Sequence, residues 1–108
     1  MHAFEARDLI EQQSAGDARY LEFLRVPDLN CGLYVLAAGS DDTQQPHAED
    51  EVYYVIEGRA TIAVSDEDRP VQAGSIIYVA AGIEHRFHHI EEQLRVLVFF
   101  AGKGHGEG

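Results

Sequence analysis

The residues best suited to chemistry in this chain are four polar side chains: Gln45, His47, Glu51 and His85. If the backbone before His47 is extended, Gln45 and His47 share one face, because strand side chains alternate with a period of two. Glu51 opens the apolar run V-Y-Y-V-I, which is typical of a strand. An amide oxygen, two imidazoles and a carboxylate form a mixed nitrogen and oxygen donor set. The four residues therefore predict a site for a divalent metal ion.

The elements that would position this site are short and mostly β. One helix is predicted over Ala6–Gln13, which consists of good helix formers and is followed by the stop signal S-A-G-D. From there the chain alternates between β-rich runs and turn residues, and Ser65–Pro70 is interpreted as one such turn. The pattern predicts an all-β sandwich or barrel with a short N-terminal helix. The predicted strands are Tyr20–Val26, Leu33–Ala37, Val52–Ile56, Arg59–Val64, Ser75–Val79, His85–Ile90 and Leu94–Phe100.

The composition indicates a small, acidic, globular protein. With 108 residues the chain has room for one domain. Its formal net charge of −11 opposes binding to nucleic acid or to an anionic membrane, because phosphate contacts require clustered Lys or Arg. No apolar run is long enough to span a bilayer, and the N-terminal residues lack the pattern of a secretory signal. We therefore expect a cytoplasmic protein.

Cys31 is the sole cysteine, which excludes an internal disulfide and a thiolate metal cluster. We interpret it as a buried packing residue, because free cysteines are commonly buried. A nucleophilic role would require a lowered pKa, and nothing in the sequence indicates one.

Two motifs in the chain resemble those of the cupins, a superfamily of small β-barrels of the jelly-roll type. The first cupin motif reads G-x5-H-x-H-x3,4-E-x6-G. Its spacing is reproduced here, with Gln in place of the first His, by Gly39, Gln45, His47, Glu51 and Gly58. The second motif reads G-x5-P-x-G-x2-H-x3-N. Its positions are taken here, with Ala for Pro and His for Asn, by Gly74, Ala80, Gly82, His85 and His89.

The resemblance implies a double-stranded β-helix, or jelly-roll barrel, over residues 1–101, and composition predicts a flexible tail over residues 102–108. It also implies one bound transition metal, with Fe, Mn, Ni and Zn all suited to the site. The implied ligands are Gln45, His47, Glu51 and His85. Strand alternation then predicts which side chains contact a small-molecule ligand beside the metal. These are Tyr53, Val55, Phe87 and His89.

Two points about the ligands stay open. Gln45 either coordinates the ion directly or acts through a water molecule, because a neutral amide is a poor donor for most of these metals. His47 together with Glu49 offers a rival register for the first motif. That register leaves Glu51 closer than the cupin spacing allows.

Two functions agree with such a site. The first is a metal-dependent, dioxygenase-like enzyme acting on a small chelating organic substrate, with Glu51 alternating between metal ligand and general base. The second is a non-enzymatic module that binds or senses a metal ion or a small ligand. The cupin fold does not distinguish these functions. Strands that are apolar on both faces in so short a chain also predict a homodimer, as in similar small cupins.

Overall fold

The computed structural model describes residues 1–43 and 46–101. Within these ranges the chain forms one helix followed by six strands. The elements are α1 (Ala6–Ala15), β1 (Tyr20–Val26), β2 (Leu29–Leu36), β3 (Asp50–Val64), β4 (Glu67–Gln72), β5 (Ile76–Val79) and β6 (His85–Ala101). The predicted all-β fold with a short N-terminal helix is confirmed.

The six strands belong to one sheet whose pairings are all antiparallel. The order is β1-β2-β6-β3-β4, and β5 pairs with β3 outside this path. The first part of β3 pairs with β5 and its last part with β4, while β6 lies along the other side of β3. Strands that serve several partners in this way must bend, so the sheet rolls around an interior.

Two long strands form where four shorter ones were predicted. The predicted breaks at Glu57-Gly58 and at Glu91-Glu92 do not end β3 or β6. The register between the two strands instead shifts repeatedly between Val55 and Thr61. Gly58 lies within this irregular stretch with a φ of +98°, a conformation that favours glycine. The turn-forming residues therefore bend the strands without interrupting them.

The prediction of a turn over Ser65–Pro70 is wrong beyond its first two residues. Ser65 and Asp66 form the turn, and β4 begins at Glu67. Among the described residues β4 pairs with β3 alone, so it is an edge strand. An edge strand accepts Pro70 and many charged side chains, because one of its sides is not paired within the sheet. This exposure is why the segment has the composition of a turn.

The interior of the rolled sheet contains the hydrophobic core. Alternate residues of β3 face inward, so Glu51, Tyr53 and Val55 are all buried. Glu51 is therefore a carboxylate placed at the border of an otherwise apolar cluster. The buried members of that cluster are Leu36, Tyr53, Val55, Ala60, Ile62, Val71, Val79, Phe87, Ile90, Leu94, Val96 and Val98.

Cys31 is buried in β2, as predicted. Burial raises the pKa of its thiol, because the charged thiolate is poorly solvated inside a protein. The thiol therefore stays protonated, which agrees with a packing role.

The helix α1 contacts β1 and β2 through its two buried residues, Leu9 and Gln13. The side-chain amide of Gln13 donates hydrogen bonds to the carbonyl of Leu33 at 2.9 Å and to that of Arg19 at 3.1 Å. Gln13 thus fastens the helix to the sheet. As the one helix among residues 1–43 and 46–101, α1 is neither long nor apolar enough to cross a membrane.

Gln13→Ala is expected to lower the free energy of unfolding by about 1–2 kcal/mol, because the buried carbonyl of Leu33 loses its side-chain donor. The matched control is Gln12→Ala at the exposed neighbouring position, where a change within about 0.5 kcal/mol is expected. Urea unfolding measures both values. Equal losses for the two variants would contradict a specific role for Gln13.

The outer face of the sheet carries exposed apolar side chains. Tyr54, Ile76 and Tyr78 retain 39%, 70% and 60% of their accessible surface. Tyr54 lies opposite Ile76 in the pairing of β3 with β5, so these side chains form one patch. The strands are therefore apolar on both faces, which is the observation from which a homodimer was predicted.

Candidate metal centre

Three of the four predicted metal ligands lie together at one end of the rolled sheet. His47, Glu51 and His85 each offer one ligand atom, and these atoms lie within 4.8 Å of one another. Nε2 of His47 is 3.7 Å from Oε1 of Glu51, and Nε2 of His85 is 2.9 Å from Oε2. Gln45, the fourth predicted ligand, lies outside the described residues.

The ligand atoms of Glu51 and His85 are buried without a hydrogen-bond partner among the described residues. Both carboxylate oxygens of Glu51 and Nε2 of His85 lack a hydrogen bond of acceptable geometry to any described residue. The short distance between Glu51 and His85 therefore does not amount to a satisfied hydrogen bond. Buried carboxylates are normally compensated by a cation or by several donors. A divalent metal ion coordinated by these atoms would provide that compensation, so the residues present fit such an ion.

The ring of His85 is oriented by the backbone. Its Nδ1 lies 2.8 Å from the carbonyl oxygen of Ile83. A carbonyl can only accept a hydrogen bond, so Nδ1 carries the proton and Nε2 faces Glu51. Such a hydrogen bond on the remote nitrogen is the usual support of a metal-binding imidazole.

The pKa of His85 is raised by its neighbours. Desolvation by burial is the largest influence and lowers this pKa, but the carboxylate of Glu51 and the carbonyl of Ile83 raise it by more in sum. The charge of Asp42 acts in the same direction. A metal ion would therefore compete with a proton for Nε2 of His85.

The two histidines come from segments that are joined by a backbone contact. The N–H of Gly82 donates a hydrogen bond to the carbonyl of His47 at 2.7 Å. Gly82 has a φ of +79°, so the chain can turn sharply before His85 begins β6. The ring of His47 also meets the ring of Phe100 at a centroid distance of 4.9 Å. These contacts set the direction from which each imidazole approaches Glu51.

A cavity of about 310 Å³ opens beside the cluster. His47 is one of its wall residues, and the side chain of His47 is 33% exposed. The cavity is large enough for a small organic molecule. Its walls are formed by Tyr20, Glu22, Arg25, Asn30, Tyr34, His47, Glu49, Tyr53, Val98 and Phe100.

The residues that were predicted to contact a ligand do not all lie at the cavity. Tyr53 lines the cavity, and its ring centroid is 6.0 Å from that of His85. Val55 and Phe87 are fully buried in the core and are not among the described residues of the cavity wall. Phe87 packs against Tyr53 at a centroid distance of 5.1 Å and so supports the wall from behind.

His89 does not share the face of His85 and Phe87, and the prediction of its direction is wrong. It is exposed, has a φ of +50°, and places its Nδ1 2.6 Å from Nδ1 of His88. The cause is the pairing with β3, where Arg59 and Thr61 lie opposite Glu92 and His88. Over this stretch the pairing advances farther along β6 than along β3, so β6 contains extra residues. These residues break the inward–outward alternation of side chains along β6.

The rival ligand Glu49 lies close to the cluster without joining it. Glu49 is half-buried and lines the cavity, whereas the carboxylate within reach of both imidazoles belongs to Glu51. The spacing of the first motif is therefore in agreement with the position of Glu51.

Sequence reasoning missed the contribution of the N-terminal strands to the cavity wall. Strand β1 contributes Tyr20, Glu22 and Arg25 to the wall, and none of them falls in a recognisable motif. Glu22 and Arg25 form a two-point ion pair with distances of 3.1 and 2.7 Å. Asp42 was also missed, although it lies inside the first motif and is 6% exposed. An acidic residue in an S-D-D-T segment is typical of a solvated turn, so only its burial distinguishes it.

Comparison with known proteins identifies the class. The chain belongs to the cupin family, because the family model described as Cupin domain matches residues 32–100. An uncharacterized protein of Streptomyces coelicolor is 52% identical over 101 residues, which is 94% of this chain and 96% of that protein. The predicted resemblance to cupins is thereby confirmed.

Solved structures support the same fold. TT1209 from Thermus thermophilus is similar with a TM-score of 0.78 and 22% identity, over 94% of this chain and 98% of that one. KdgF from Halomonas sp. is similar with a TM-score of 0.71 and 19% identity, over 82% of each chain. At these identities the likeness shows the jelly-roll fold alone, and that predicted fold is confirmed.

Proposed function

We propose that this protein binds one divalent transition-metal ion through His47, Glu51 and His85 and converts a small chelating organic molecule in a dioxygenase-like reaction. The observation that carries this proposal is the double position of His47, which belongs both to the ligand cluster and to the cavity wall. A molecule bound in the cavity would therefore lie beside the donor atoms. Its oxygen atoms would have access to the coordination positions that the protein leaves open.

The donor set favours particular metals. Two imidazoles and one carboxylate, with the other positions open, are the ligands of non-haem Fe(II) oxygenases. When bound, such an ion supplies Lewis acidity and, if it is redox-active, reactivity with dioxygen. Gln45 would add a weak fourth donor, directly or through water, and this role stays a prediction.

The described residues have distinct tasks in this proposal. Glu51 contributes the negative charge that offsets part of the charge of the ion in a buried place. The carbonyl of Ile83 orients the ring of His85, and the ring of Phe100 packs against the ring of His47. Tyr53 places its buried ring beside that of His85.

Tyr20 is suited to hold a ligand oxygen. Burial, followed by the charge of Glu22, raises the pKa of Tyr20 to about 12. Its hydroxyl therefore remains protonated at neutral pH and can donate a hydrogen bond within the cavity. In this way β1 would orient the ligand with respect to the ion.

Metal analysis of protein purified without added metal tests the proposal. We expect about one ion per chain in the wild type and a nearly complete loss in His47→Ala and His85→Ala, because each removes a ligand. The matched control is His88→Ala. His88 is not part of the cluster, and its Nε2 lies 2.9 Å from Oδ1 of Asp68. Metal retained in the first two variants would show that the ion is held elsewhere.

Oxygen consumption separates catalysis from binding. The Fe- and Mn-loaded forms are mixed with enediols, diketones and catechols in an oxygen electrode, and uptake with at least one class is expected. Stoichiometric metal without uptake would favour the second candidate, a module that binds or senses a metal or small ligand. Gln45 in place of the usual His of the first motif is the observation that favours this alternative.

Homodimerisation, which the outer apolar patch supports, also stays a prediction.

A further inference from the structure

Asp42 is a buried carboxylate outside the ligand cluster. It is 6% exposed, and each of its oxygens accepts a hydrogen bond. Oδ1 accepts from the hydroxyl of Tyr34 at 2.8 Å, and Oδ2 accepts from the backbone N–H of Phe87 at 2.8 Å. Hydrogen bonds to an ionised carboxylate are short and strong, so these partners are held firmly.

The bond to Phe87 joins the segment that follows β2 to β6, the strand that carries His85. After β2 the chain continues along β6, where the N–H of Gly39 donates to the carbonyl of Ile90 at 2.9 Å. Further on, the N–H of Gly82 donates to the carbonyl of His47. Between these backbone contacts the carboxylate of Asp42 accepts a hydrogen bond from the N–H of Phe87. A backbone carbonyl has this role in a regular pair of strands.

The position of Phe87 makes this contact relevant to the metal site. Phe87 lies two residues after His85 in β6 and faces the same interior. A displacement of the backbone at Phe87 would therefore displace the imidazole of His85. The other partner, Tyr34, is a wall residue of the cavity.

We propose that Asp42 is a positioning residue that fixes the backbone of β6 at Phe87 and so the place of His85 in the ligand cluster, and thereby the metal affinity of the site. This inference rests on the proposed metal binding. Asp42 acts through Phe87 on the strand that bears His85, while its own place in the chain lies five residues before His47. Through Tyr34 it also connects the ligand cluster with the cavity wall.

Asp42→Ala tests the inference, because it removes both acceptor oxygens and with them the bonds to Tyr34 and Phe87. The affinity for Co²⁺ is measured by competition with a chelator and is expected to fall by about 10–100-fold, the usual effect of removing a group that supports a ligand. The visible absorption bands of bound Co²⁺ are expected to shift, since the arrangement of the imidazoles changes.

Two further variants separate positioning from general loosening of the fold. Asp41→Ala makes the same chemical change at the exposed neighbouring residue, and its Co²⁺ affinity and spectrum are expected to match the wild type. Tyr34→Phe removes the hydroxyl bond but keeps the bond to Phe87, so its loss of affinity is expected to be much smaller than that of Asp42→Ala. Equal losses for Tyr34→Phe and Asp42→Ala would overturn the inference.

Hydrogen exchange of the Phe87 amide in the metal-free protein provides a readout that does not depend on the metal. Its protection is expected to fall in Asp42→Ala and to persist in Asp41→Ala. Wild-type affinity and spectrum in a folded Asp42→Ala variant would overturn the inference alone. Failure of the wild type to bind Co²⁺, with the exchange difference present, would overturn the proposed function and with it the metal part of this inference.

Discussion

Glu51→Gln is expected to remove metal binding while leaving the metal-free fold nearly as stable as the wild type. Glu51 is the one anionic donor of the described cluster, so its loss is expected to weaken binding by more than about a hundredfold, beyond the effect of a supporting group. In the metal-free protein its buried oxygens lack hydrogen-bond partners among the described residues, so an uncharged amide relieves a desolvation cost. The free energy of unfolding without metal is therefore expected to stay within about 1 kcal/mol of the wild type or to rise.

Urea unfolding with and without Mn²⁺ or Zn²⁺ measures both effects in one experiment. A wild type with free metal at about 100 times its Kd gains about 2.7 kcal/mol, whereas Glu51→Gln is expected to gain almost nothing. The matched control is Glu49→Gln, two residues earlier at the cavity wall, which is expected to keep its metal affinity within about twofold.

The competing explanation treats Glu51 as the structural partner of His85, whose Nε2 lies 2.9 Å away. Breaking a buried ion pair by removing one partner typically costs about 3–5 kcal/mol. A loss of that size in the metal-free Glu51→Gln variant, with metal affinity retained, would contradict the assignment of Glu51 as a ligand. Loss of metal binding in Glu49→Gln alone would instead support the rival register.

Gly58→Ala is expected to cost about 4 kcal/mol or more of stability, which is the range of unusually severe substitutions. The φ of Gly58 is +98°, and a Cβ there would collide with the carbonyl oxygen of Gln93 and lie 2.7 Å from Cα of Leu94. Both obstacles are backbone atoms of β6, so a side-chain rotation cannot relieve them. The variant must separate β3 from β6 at their bend or fail to fold.

Gly74→Ala is a closely matched control. Gly74 has a φ of +97°, but a Cβ at this position meets no atom within 4 Å. Its cost is expected to reflect the backbone conformation alone, about 1–2 kcal/mol. Urea unfolding of both variants isolates the steric part, and similar losses for the two would show that the approach of β6 to Gly58 is not limiting.

Local patterns together with the cupin motifs were sufficient for the all-β fold class and for the three residues of the candidate cluster. The alternation of Glu51, Tyr53 and Val55 follows from the geometry of an extended chain, which needs no knowledge of the partner strands. The glycines of the two motifs are also informative, because Gly58 and Gly82 both have a positive φ, which favours glycine. The spacing of the cupin motifs then relates His47 to His85 across 38 positions of sequence.

Features that depend on pairing between distant segments could not be predicted in this way. His89 turns outward because β6 has excess residues opposite β3, and this register is a property of both strands. β4 resembles a turn because its exposure on the sheet edge permits charges and Pro70. Asp42 is buried only because Tyr34 and Phe87 reach it from two different strands. Periodicity acts between near neighbours in the chain, whereas register, edge position and the burial of a polar group depend on which strands meet once the sheet has rolled.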